Sequence, residues 1–134
     1  MPGQFYDNAL RTQHDAAAAD YSGAATQMTI DGPSALTGRI EDMTLHVTEA
    51  FTIADTNVDV GENGGDVDAQ LANFIIAQVG SGIGDILAPS RVDTADPVSL
   101  AAGADINADV QTDVISDSGS TAGEADTRIL IAWF

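Results

Sequence analysis

The chain has 134 residues, enough for one domain whose core removes roughly two thirds of the unfolded surface from water. Asp and Glu number 21 against four Arg and no Lys, and a net charge of −17 argues against nucleic acid and anionic membranes, which both need a cationic footprint. Cysteine is absent, so disulfides and thiolate metal sites are excluded, and no stretch approaches the ~20 apolar residues of a membrane span.

Residues 1–27 are polar and Ala-rich without a sustained period, and Asp15-Ala16-Ala17-Ala18-Ala19-Asp20 supports at most a short helical turn. They are expected to form an N-terminal arm, with a β-rich domain over 28–134. Phe5, Tyr6, Leu10 and Tyr21 give the arm side chains that could dock on a neighbouring subunit. The start, Met1-Pro2-Gly3-Gln4-Phe5-Tyr6-Asp7, lacks the basic residues and apolar run of a signal peptide.

From Met28 the pattern becomes that of strands and turns. Met28-Thr29-Ile30 precedes a turn at Asp31-Gly32-Pro33-Ser34. Met43, Leu45 and Val47 alternate with Thr44, His46 and Thr48, which predicts a half-buried strand with His46 on its wet face. Phe51 and Ile53 continue that phase while Val58 and Val60 oppose it, so a turn or bulge is expected over 54–57. Val67, Leu71, Phe74, Ile75 and Gln78 make a helical stripe that Asp66 would cap and Gly80 would stop; the alternative is a strand over Asn73–Val79. Short strands are expected at Arg91-Val92-Asp93 and Pro97–Leu100. Ile106, Ala108, Val110, Thr112 and Val114 alternate with polar residues as one solvent-facing strand, and Ser116–Glu124 reads as a loop.

The last strand, Thr127–Phe134, puts Ile129, Ile131 and Trp133 on one face and Leu130, Ala132 and Phe134 on the other, so both faces need cover. Several short strands closing on an apolar one predict a mainly β chain: an antiparallel β-sandwich or jelly-roll-like domain with at most one short helix.

No residue pattern announces a catalyst. Asp55-x-Asn57-x-Asp59 and Asp105-x-Asn107-x-Asp109 repeat a spaced acidic pattern, but neither has the Gly and Glu of a calcium loop. Along an extended strand alternate side chains lie about 6.5–7 Å apart, too far to share one ion. Only Asp55, Asn57 and Asp59, near a turn, are retained as a calcium candidate, and solvated carboxylates are the preferred reading. His14 and His46 have no metal-ligand spacing, no nucleophile elbow is present, and Gly80-Ser81-Gly82-Ile83-Gly84 lacks both the spacing and the Lys of a phosphate loop.

The arm before Met28, Glu49-Ala50-Phe51-Thr52-Ile53-Ala54-Asp55 leading into Val58-Asp59-Val60-Gly61, the loop-rich middle with Arg91-Val92-Asp93 and the apolar final strand together carry a resemblance. The chain resembles the small decoration, or cement, proteins on capsids of tailed bacteriophages, marine or halophilic ones in particular. Its lack of Lys departs from that pattern and fits a saline medium. The resemblance implies a non-catalytic virion protein, without cofactor, that is made in the host cytoplasm and binds the capsid surface. It implies a homotrimer whose partner is the major capsid protein. The interface would draw on Phe5, Tyr6, Leu10, Arg11, Trp133 and Phe134. Two other classes fit the residues less closely: another phage structural subunit, such as a tail tube or fibre base, and an extracellular glycan-binding module or hydrolase.

Overall fold

A computed structural model describes residues 10–52, 54–77, 82–91, 98–107, 109–118 and 120–134. Among the described residues nine strands run in the order β1 (Leu10–Asp20), β2 (Ala25–Ile30), β3 (Thr37–Thr52), β4 (Thr56–Glu62), β5 (Leu71–Ile76), β6 (Ile86–Leu87), β7 (Ile106–Asn107), β8 (Thr112–Ser118) and β9 (Ala122–Trp133). All pairings are antiparallel. The first sheet has the order β1-β9-β3-β6, with β7 also on β3, and the second has the order β2-β8-β4-β5. The chain is a mainly β protein in which the two sheets pack as a sandwich over one shared apolar core.

The alternation read in the sequence builds that core. Met43, Leu45 and Val47 point inward from β3, and Ile129 and Ile131 do so from β9. Val58, Val60, Leu71, Ile76 and Val114 meet them from the second sheet. Each such aliphatic side chain, withdrawn fully from water, contributes on the order of 1.5–3 kcal/mol. Trp133 closes one end and is only 1% exposed. Its ring lies where side chains at Gly32 and Gly38 would stand, since a Cβ built at either would come within 2.4 or 2.5 Å of it. Two glycines thus leave the slot that one large aromatic fills.

Phase inversion between β3 and β4 has a simple cause: the chain changes sheet. It leaves the first sheet at Thr52, enters the second at Thr56, and returns by the same end between Ser118 and Ala122. Polar side chains stitch the two corners. Ser120 Oγ donates to the Ala54 carbonyl at 2.5 Å, Thr56 Oγ1 donates to Ser120 Oγ at 3.1 Å, and the hydroxyls of Thr52 and Thr121 lie 3.1 Å apart.

Several expectations are corrected. The helix favoured over 67–79 is strand β5, paired with β4. Asn73, with φ 54, shifts the strand's phase, so Leu71 and Ile76 both face inward although five residues apart. Ile75, which the helical stripe would have turned inward, is 52% exposed. Gln78 and Val79 lie outside the described residues. Ile106–Val114 is not one strand: β7 joins β3 and β8 joins the second sheet, so Ile106 and Val114 enter the core from different sheets; Asp113, expected outward, is buried, and Ala108 lies outside the described residues. The loop expected over Ser116–Glu124 is mostly strand, with Ser116 fully buried. At Leu100–Ala102 there is a 3-10 turn capped by Ser99, whose Oγ accepts the Ala101 N–H at 3.2 Å, in place of a strand ending at Leu100. Arg91 lies in a bend; Val92 and Asp93, like Ile53, are outside the described residues.

The final strand starts at Ala122 and is central, between β1 and β3. Of the stretch expected as an arm, Leu10–Asp20 lies against β9 as a sheet edge and Ala25–Gln27 begins β2; residues 1–9 are outside the described residues.

Candidate functional site

Strand pairing sets the outer face of the first sheet. Register places Asp15 opposite Arg128 and Arg128 opposite Thr44, then Asp126 opposite His46 and His46 opposite Ile86. These residues, with Ala16, Ala17 and Thr127, line an open groove of about 460 Å³. It exists because β1 bulges between Ala16 and Ala19, which parts the edge strand from the row of side chains on β9.

Its electrostatics are largely settled within the chain. Arg128 Nε donates to Asp15 Oδ1 at 2.8 Å. That hydrogen bond holds the Asp15 carboxyl below its ordinary range and the Arg128 guanidinium above. Asp126 accepts the Ala18 N–H on Oδ1 at 2.7 Å and turns Oδ2 toward His46 Nδ1 at 4.0 Å, too far for a hydrogen bond. Thr127 points inward, with its hydroxyl 2.5 Å from that of Tyr21. Burial pushes the Tyr21 phenol up to about 12. At the groove's outer lip Ile86 is 69% exposed, and Ile83, just before β6, is 72% exposed. The groove therefore offers contact atoms of both charges beside apolar ones.

The same face continues toward the chain end. Arg11 Nε donates to Glu41 Oε2 at 3.1 Å, and Arg39 donates to Asp105 and to the Ala101 carbonyl. Arg91, exposed, borders a shallow depression of about 330 Å³ with Arg39 and Glu41.

The sequence-predicted interface residues part company here. Trp133 is a core residue whose Nε1–H donates to Thr12 Oγ1 at 2.8 Å. Leu10, opposite Trp133 in register, and Phe134 stay 53% and 43% exposed at one end of the first sheet, with Arg11 beside them. Phe5 and Tyr6 lie outside the described residues.

Asp55, Asn57 and Asp59 fall on the corner and the start of β4, where Asp59 Oδ1 accepts the Asn73 N–H at 2.6 Å. Asp68 shares a hydrogen bond with Asp66 and stands near Asp59, which raises its carboxyl above the ordinary range. Among the described residues no group of three or more His, Asp and Glu side chains is arranged to hold a metal ion. His14 lies on the inner face of β1 with Nε2 2.9 Å from Thr12 Oγ1, and burial lowers its pKa.

Sequence reading singled out His46 and its threonine row but missed Asp126 and Ile86. Only the strand order β1-β9-β3-β6 brings them together, and no local signal encodes it. No protein-family model, curated protein or solved structure matches the chain.

Proposed function

We propose that the chain is a non-catalytic structural subunit that binds the outside of a virus capsid lattice and stabilises it, acting as a homotrimeric decoration protein. The observation that carries the reading is the outer face of the first sheet, where Ile83 and Ile86 stand exposed beside a groove whose arginine is already paired with Asp15. Such a face favours broad contact with a folded protein surface over capture of a single charged ligand. A subunit that binds the assembled lattice and not its free parts stabilises the shell by mass action. Symmetric repetition turns modest single contacts into high avidity.

Gradient-purified virus particles analysed by mass spectrometry test the proposal. The chain is expected in fixed ratio to the major shell protein, and Ile86→Asp is expected to lower that ratio. Recovery of the chain solely from unassembled fractions would overturn the reading.

A further inference from the structure

We propose that Leu10–Ala16, the first part of β1, is an exchangeable strap, and that the edge of β9 beneath it accepts the same segment from a second copy of this chain. None of these seven positions is buried, whereas Ala19 and Tyr21, just beyond, are. The strap is held by its backbone ladder to β9, from Leu10↔Trp133 to Ala16↔Thr127, and by three polar ties: Thr12 to Trp133, Asp15 to Arg128 and Arg11 to Glu41. Lifting it therefore uncovers little of its own apolar surface but bares a long edge on β9, whose Ile129, Ile131 and Trp133 are core residues.

A hinge lies at the right place. Ala17 and Ala18 are exposed, the register shifts between Ala16 and Ala19, and Ala18 has φ 46, a left-handed conformation strained for a residue with a Cβ. Tyr21 stays anchored through its N–H to the Gly123 carbonyl at 2.9 Å and its hydroxyl to Thr127. An opened strap thus swings from the bulge without unfastening β2.

The occupant follows from complementarity. A second copy offers the same strap sequence for the same β9 edge, so the ladder and all three ties are regained on exchange. The balance reduces to relief of strain at Ala18 against the entropy of association. This inference does not depend on the capsid reading.

The chain has no cysteine, so Gln13→Cys with Leu130→Cys, at positions paired in register, gives a clean covalent reporter. The variant is incubated at low and high protein concentration, oxidised, and run denatured without reductant. Exchange predicts an interchain disulfide species that rises several-fold with concentration. Adding Ala18→Pro, which cannot hold a positive φ, should raise it further, and Ala18→Gly, which relieves the strain, should lower it. Intrachain product alone at every concentration would overturn the proposal. So would interchain product indifferent to residue 18, which marks random collision. If Ala18→Pro does not fold, as judged by circular dichroism, the comparison of the parent with Ala18→Gly decides.

Discussion

Arg11 reaches over β9 to place its Nε 3.1 Å from Glu41 Oε2, joining two strands, β1 and β3, that are not hydrogen-bonded to one another. Ala132 lies between Arg11 and Arg39 in register and is fully buried although it faces outward. The Arg11 stem that crosses the sheet covers it. Part of the outer face of β9 that the sequence left needing cover is thus covered by a charged side chain of the same chain.

Arg11→Ala should consequently destabilise more than Glu41→Ala, because it removes packing as well as charge. The coupling between them in a double-mutant cycle should be about 0.2–1 kcal/mol, as for other partly exposed pairs. Urea unfolding at low and high salt checks this, with the coupling shrinking at high salt and the packing difference persisting.

Gly38→Ala should cost about 1–3 kcal/mol, since its Cβ would press on the Trp133 ring and overpack a filled slot. Trp133→Ala should cost about 3–5 kcal/mol by emptying it. Trp133 is the sole tryptophan, so for Gly38→Ala its own emission follows the denaturant midpoint; circular dichroism serves for Trp133→Ala.

At alkaline pH the Tyr21 phenol governs. Its folded pKa is raised from 10.0 to about 12, so its contribution is fully present below 10 and is lost as pH rises through about 12. Tyr21→Phe should remove that limb of the pH–stability curve and cost about 1 kcal/mol at neutral pH through the lost bond to Thr127. Thermal unfolding from pH 7 to pH 12 measures both.

On the acid side the groups divide by sign. His14 is depressed by burial, so its contribution is present above 6.5 and lost as pH falls through its lower folded value. Asp15 and Asp20, held low by hydrogen bonds from Arg128 and Ser22, act likewise below 3.8. Asp68 is raised by its hydrogen bond with Asp66, so its contribution is present below 3.8 and lost as pH rises through its folded value. Asp68→Asn should therefore raise the melting midpoint at pH 7 and leave it unchanged at pH 3.

The two inner faces were legible because alternation there is enforced by burial: Met43, Leu45 and Val47 could be read directly, and the phase change before Val58 marked the sheet change. β1 was not legible, because an edge strand that mainly covers a neighbour's backbone and reaches the core only through small residues needs no apolar period; its inward side chains over the first part are Thr12, His14 and Ala16, and Ala19 alone is buried. β5 was misread because Asn73 breaks its period of two. The groove was hidden for another reason: Asp15, His46 and Asp126 are far apart in sequence and meet through pairings that local patterns do not specify.

The corners stitched by Ser120, Thr52 and Thr56 tie the two sheets together as a mechanism of folding. β3 continues into β4 and β8 into β9, so two arches, each with one leg in either sheet, lie side by side and supply the central pairs β3·β9 and β4·β8. Zipping the arches in one sheet sets the register in the other. Because each arch has a leg in both layers, the sandwich should melt as one unit, with loss of the Ser120 hydroxyl loosening both layers together.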